Sequence, residues 1–201
     1  ISEGVITFFF FLNNMIPLEL DGKVSLLDNV NNDLSALQFN YIWIVGWDIY
    51  GIKLNQCGNI IFNNGSLIAP SWATGSFVKI SSEGIGSCRQ LIFRDIVIEN
   101  QKTTLLTVFD VESVDNDIRS IIIENPRLQV GTMELIKSTN TNNTSIDLIK
   151  VIEPSGLGQA IETTIDTNTK YILENNSLSL VNFNNINGIK SKSDNIFVNN
   201  V

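Results

Sequence analysis

Short runs of Ile, Val, Leu and Phe alternate along the chain with clusters of Asn, Gly, Ser and Thr. Asn59-Ile-Ile-Phe-Asn, Gln90-Leu-Ile-Phe-Arg, Ser120-Ile-Ile-Ile-Glu, Ser179-Leu-Val-Asn-Phe and Asn195-Ile-Phe-Val-Asn are representative. β-Branched and aromatic residues held between turn formers predict strands, not helices. The nearest approach to a helix, Asn29 to Leu37, carries Asn29, Asn31, Asn32 and Asp33. Their side chains compete with the helical backbone for hydrogen bonds, so at most one helical turn is expected there. The pattern is that of an all-β chain.

The strands also repeat. Cys57-Gly-Asn-Ile-Ile-Phe-Asn-Asn64 aligns with Cys88-Arg-Gln-Leu-Ile-Phe-Arg-Asp95, and Ile118-Arg-Ser-Ile-Ile-Ile-Glu-Asn125 aligns with both. Phe62, Phe93 and Ile123 anchor the copies, followed two places later by Asn64, Asp95 and Asn125 and five places later by Leu67, Ile98 and Leu128. Weaker copies fall at Ile146 to Glu153 and Leu178 to Asn185, and Tyr41 to Ile49 reads as a shorter early one. A strand, an Asn/Asp turn and a second short strand every ~30 residues is the requirement of a parallel solenoid. Asn and Asp suit the turn because they tolerate the left-handed conformation.

On these repeats the chain from Trp43 to Val201 resembles the right-handed parallel β-helix, the pectin-lyase-like architecture of polysaccharide lyases, tailspikes and many surface proteins. The resemblance implies a single-stranded solenoid of about five to six coils over residues 41–201, preceded by a capping or subunit-pairing segment over 1–40. The alternative all-β reading is a β-sandwich, whose strands recur at about 8–12 residues. The resemblance extends to no catalytic family. The polygalacturonase-like enzymes carry Asn-Thr-Asp, Asp-Asp, Gly-His-Gly and Arg-Ile-Lys motifs, none of which is present. Pectate-lyase-like enzymes use Ca²⁺-binding acids and an arginine base, and Arg89, Arg94, Arg119 and Arg127 match no such pattern.

Composition narrows the function. The 201 residues include 13 basic and 21 acidic side chains, for a net charge of −8, and no His. The acidic balance argues against nucleic-acid and anionic-membrane partners. Without His, Ser-His-Asp and Cys-His catalysis and HExxH zinc sites are excluded. With 43% hydrophobic and 17% charged residues the chain is no disordered tail. The longest apolar run, Val5 to Leu12, is too short for a membrane span and lacks the basic flank of a signal peptide. Starting at Ile1, the chain reads as a mature or trimmed product, and its wealth of Asn, Ser and Thr suits an extracellular, cell-surface or virion-surface setting.

Cys57 and Cys88 each stand five residues before an anchor, which places them on adjacent coils. Coils stack at ~4.8 Å, within disulfide range, so the pair is a disulfide candidate, with two stacked buried thiols as the alternative. Two Cys without His do not make a structural zinc site, and no metal or cofactor is expected.

Asp110, Glu112, Asp115 and Asp117 form the clearest acidic cluster. They could supply an acid/base pair for glycoside hydrolysis or ligands for Ca²⁺. The favoured reading is a solvated loop between coils, where acids commonly sit, and the spacing lacks the Gly and closing Glu of an EF-hand loop. Tyr41, Trp43, Trp47 and Tyr50 form an aromatic patch suited to stacking on sugar rings; at period two, Tyr41, Trp43 and Trp47 share a face, opposite Ile42 and Ile44. Trp72 is a lone aromatic in a turn-rich insertion. Sequons occur at Asn64, Asn142, Asn143 and Asn175. Asn64 is at the repeated turn, where an inward, stacked side chain would withhold it, whereas the other three lie in polar loops.

A short solenoid must cap its two ends or pair them with a neighbour. Val5 to Leu12, with four consecutive phenylalanines, and Asn195 to Val201 both read as pairing strands. The sequence therefore points to a non-enzymatic structural subunit of an extracellular or virion-surface fibril or spike, self-associating head to tail or as a trimer. The alternatives are a tailspike-like polysaccharide lyase or hydrolase, and a carbohydrate-binding β-helix.

Overall fold

The computed structural model describes residues 4–7, 11–13, 18–21, 37–84, 87–156, 160–175, 180–184, 190–191 and 197–198. Every helix-or-strand element among the described residues is a strand, and every strand pairing is parallel. Parallel neighbours cannot be joined by hairpins, so the chain must wind from one sheet to the other and back. It does so as a parallel β-solenoid, which excludes the sandwich.

The first sheet follows the path Gly4–Thr7, Leu37–Asn40, Ile60–Ala69, Cys88–Asn100, Ile118–Glu124, Ile146–Ile152, Thr169–Glu174 and Lys190–Ser191. The second follows Leu18–Asp21, Tyr50–Asn55, Ser76–Ser81, Leu106–Ser113, Met133–Asn140, Ala160–Thr164, Leu180–Asn184 and Phe197–Val198. About four turns make up the central solenoid, slightly fewer than the five to six coils expected. Of the first 40 residues, the described strands join these same ladders. Most of the Asn29 to Leu37 segment and the centre of the Val5 to Leu12 run lie outside the described residues. None of the described residues forms a helix long and apolar enough to cross a membrane.

The anchors stack as their spacing requires. Phe39, Phe62 and Phe93 occupy one register column, continued by Ile123, Val151 and Leu173. All six are buried. Two residues further on, the chain turns at Asn64, Asp95 and Asn125, each with φ between 51° and 55°. This left-handed corner bends Ile60–Ala69 and Cys88–Asn100 without ending them, and their second halves pair with Trp43–Val45 and Arg127–Leu128 to make a third facet.

Two repeat assignments are corrected. Leu180–Asn184 belongs to the second sheet, beside Ala160–Thr164, and the true successor of the Ile146 copy is Thr169–Glu174 with Asn175 at its corner. The early copy is centred on Phe39, not within Tyr41 to Ile49. The cause is an uneven period: bonds between equivalent positions span 23, 31, 30, 28 and 22 residues along the stack. Apart from one-residue register shifts between Glu134 and Ile136 and between Ile146 and Ile149, the strands keep register while the loops between sheets change length, so a fixed step of ~30 drifts off at both ends.

Candidate functional site

Asp110 and Glu112 flank buried Val111 on Leu106–Ser113 and so point outward together. Between them stands a cation that the acidic cluster alone did not reveal. Lys79, on the preceding rung and directly in register with Asp110, places its Nζ 3.0 Å from Asp110 Oδ2 and 2.9 Å from Glu112 Oε2. Burial lowers the Lys79 pKa, but the hydrogen bonds and charges of Glu112 and Asp110 outweigh it, and the net shift is upward from 10.5. Lys79 lies one coil period before Asp110, so the repeat that located the anchors also carried this pairing.

Asp115 and Asp117 sit apart from that pair. The Gly84 N–H donates to Asp115 Oδ2 at 2.8 Å, from the rung before. The Ser145 N–H and hydroxyl donate to Asp117 Oδ1 at 2.8 and 3.1 Å, from the rung after. Among the described residues no three or more His, Cys, Asp or Glu side chains are grouped closely enough to hold a metal ion. A similar polar corner is built on Asp166. Burial raises its pKa, but hydrogen bonds from Asn168, Asn140 and Thr167 outweigh this and hold it below the ordinary carboxylate value.

The aromatic patch divides. Tyr41 and Trp43 are 58% and 50% exposed, and Ile42 and Ile44 beneath them are buried. Trp47 does not join them: it is 1% exposed and meets Phe77 edge-on at 5.1 Å. Period two fails between them because Gly46, at φ 84°, interrupts the strand. Tyr50 is half-buried at the start of the next strand, and Trp72 is exposed in the loop that follows Ala69.

The expectation that Asn64 is turned inward is also corrected, since it is exposed. The left-handed corner points its side chain away from the core while the strands on either side continue. Asn142, Asn143 and Asn175 are exposed as well, and all four sequon asparagines have positive φ.

Cys57 and Cys88 are both buried and stand as two thiols, without a disulfide between them. The Arg89 N–H donates to the Cys57 carbonyl, which carries the offset between Ile60 and Leu91 back to the cysteines and confirms that they occupy successive rungs. Cys88 Sγ bonds the Ser81 carbonyl at 3.1 Å and Cys57 Sγ that of Asn55 at 3.2 Å. Burial pushes the Cys88 thiol up to about 11, against the opposing effect of backbone bonds with Cys57 and Gln56.

The features that could carry chemistry are thus a lysine clamped by two acids, polar corners bonded from rung to rung, and two exposed aromatics, Tyr41 in the corner column and Trp43 just after it. Searches with this chain against protein-family models, curated proteins and solved structures return no match.

Proposed function

We propose that the chain is a non-enzymatic structural subunit of an extracellular, cell-surface or virion-surface assembly, a fibril or spike built on its β-solenoid and self-associating. The observation that carries this reading is the direction in which the acidic side chains bond. Asp110 and Glu112 reach back to Lys79, Asp115 back to Gly84, and Asp117 forward to Ser145. These bonds run along the solenoid axis and tie each turn to its neighbours. A catalytic carboxylate pair would instead present its oxygens to a substrate, with room between them for a sugar or a water.

The test is electron microscopy of the purified chain, together with assays on acidic polysaccharides. Filaments or discrete oligomers without turnover are the expected result. Turnover that disappears in Asp110→Asn or Glu112→Gln would establish the lyase or hydrolase instead.

A second reading, a carbohydrate-binding surface, is favoured by the exposure of Tyr41 and Trp43. Aromatic faces of that kind stack on sugars through apolar contact. Glycan-array binding lost in Trp43→Ala, with the melting temperature unchanged, is its signature; binding that survives the substitution removes it.

A further inference from the structure

Four loops carry the chain from the third facet into the second sheet, residues 46–49, 70–75, 101–105 and 129–132. Each presents one exposed large apolar side chain: Ile49, Trp72, Leu105 and Val130 in turn. Among the described residues the other exposed large apolar side chains, Tyr41, Trp43 and Val45, belong to the Trp43–Val45 strand of the same facet or to the corner before it. Exposed apolar residues scattered singly are ordinary. One on the same loop of four successive rungs makes a ridge.

The loops are bonded into one another. The Thr74 N–H donates to the Asp48 carbonyl at 2.7 Å, Lys102 Nζ to the Ala73 carbonyl at 2.6 Å, and the Leu106 N–H to the Thr132 carbonyl at 3.4 Å. Buried Asn100 joins two loops at once. Its Nδ2 donates to the Thr104 and Thr132 carbonyls at 3.0 and 2.8 Å, its N–H donates to the Val130 carbonyl at 3.0 Å, and its Oδ1 accepts the Lys102 N–H at 3.0 Å. The loops approach so closely that a Cβ on Gly75 would lie 2.1 Å from the Ile49 carbonyl oxygen, and one on Gly131 2.3 Å from that of Asn100. Carbonyls that face water need no such partners, since water supplies them, whereas carbonyls entering a less polar medium do.

We propose that this ridge seats the solenoid on the surface of a neutral, zwitterionic lipid bilayer, with the solenoid axis lying along the membrane plane. The proposal goes beyond the subunit reading and does not depend on it. The tips stand on four separate loops, one per rung, so a fluid phase can close around each where a folded partner would need a matching surface. Trp72 carries the amphipathic ring that gathers at headgroup level, and Ile49, Leu105 and Val130 supply apolar contact beside it. The carbonyls behind these tips are already bonded, which lowers the cost of their leaving water.

Charge selects the kind of lipid. The four loops hold only Asp48 and Lys102, which cancel, and the Lys102 ammonium is occupied by the Ala73 carbonyl. With a net charge of −8 on the chain and no basic cluster in these loops, nothing draws anionic headgroups to the ridge. A few half-exposed side chains make a small contact, so the binding is weak and reversible.

Flotation of the full chain with phosphatidylcholine vesicles, together with its tryptophan emission, tests the proposal. The chain should float with the vesicles and its emission should shift to the blue. Vesicles with brominated acyl chains should quench that emission, because Trp72 enters the interface while buried Trp47 stays out of reach. Replacing part of the phosphatidylcholine with phosphatidylserine should not strengthen the binding. Trp72→Ser combined with Leu105→Ser should weaken partitioning at least about tenfold. Both side chains are exposed, so the melting temperature should hold. Val130→Asp, on a third loop, carries the same expectation and serves if the double variant does not fold. A chain that does not float, floats only with phosphatidylserine present, or partitions as well in the variants overturns the proposal. Filaments formed by a chain that ignores vesicles would uphold the subunit reading while removing the membrane contact, and vesicle binding by a chain that stays monomeric would do the reverse.

Discussion

Phe62 and Phe93 lie face to face on successive rungs, their ring centroids 4.9 Å apart and their planes 8° from parallel. The separation is set by the backbone, since register partners in a parallel sheet stand one strand spacing apart and point the same way. Phe39 extends the stack below Phe62 at 5.0 Å, and Phe109 closes on Phe93 edge-on from the other sheet at 5.0 Å. Phe93 is therefore held on two sides, by the Phe62 face and the Phe109 edge. Phe93→Ala should cost about 3–5 kcal/mol of unfolding free energy, and Phe93→Leu less than half as much. Denaturant titration of both variants measures the difference.

The corner column makes a separate prediction. Tyr41, Asn64, Asp95, Asn125, Glu153 and Asn175 follow one another in register, all with φ between 51° and 58°. Asn and Asp hold this conformation at little cost, and their side chains link the rungs: Asn125 Nδ2 donates to Asp95 Oδ1 at 3.0 Å. Glu153 gains less from the same backbone, although its carboxylate accepts a bond from Asn175 at 3.3 Å. Glu153→Asn keeps an acceptor and relieves the backbone, so it should stabilise by about 0.5–1 kcal/mol. Asn125→Val, β-branched and without the amide, should destabilise by more than about 1 kcal/mol. Thermal melts with opposite signs for the two variants are the expected outcome.

The same column shows what a sequence can and cannot disclose about such a fold. Phe62, Phe93 and Ile123 were legible because three neighbouring coils happen to have nearly equal length, and equal length turns spatial register into sequence period. Phe39 and Leu173 were not, because the coils that hold them are shorter. Trp47 was misplaced for a local reason: Gly46 breaks the alternation that links it to Trp43. Asn64 was assigned the right backbone and the wrong direction, since a left-handed corner fixes the bend without stating which way the side chain leaves. The acids were visible as a cluster, but Lys79 emerges as their partner only when the coil period is applied to charge as well as to apolar anchors.

Lys79 supports the third prediction. It is the shared cation of Asp110 and Glu112, and its side chain is only 14% exposed. Lys79→Met removes that cation and leaves two carboxylates side by side. The loss should be about 1–2 kcal/mol at neutral pH after solvent screening, and smaller in high salt. The folded pKa lies above 10.5 because Glu112 and Asp110 overcome the effect of burial. A pKa raised on folding stabilises fully below the unfolded value and is lost as pH rises through the folded one. The gap between wild type and Lys79→Met should therefore hold to about pH 10 and close above it. A gap that is flat with pH and insensitive to salt would mean that packing of the lysine stem, not its charge, is what the rung requires.

The buried thiol of Cys88 gives the last prediction, with a window of its own. Its pKa moves from 9.0 to about 11, chiefly because the thiolate would have to form in the dry interior. Below the unfolded value, both folded and unfolded states hold the proton and Cys88 adds no pH dependence. Above it, the unfolded chain releases the proton while the folded chain retains it, so unfolding becomes progressively easier as pH rises. Between about pH 9 and pH 11 the wild type should lose stability relative to Cys88→Ala, by an amount on the order of 2 kcal/mol. Other alkaline groups, Lys79 among them, titrate in both proteins and cancel in the comparison. The substitution has its own cost from the cavity it leaves, but that cost is constant with pH and shifts the curve without tilting it. Denaturant midpoints for the two proteins at half-unit steps across the window measure the tilt. Parallel curves would show that Cys88 ionises as easily in the fold as out of it, which a sulfur packed between successive rungs should not do.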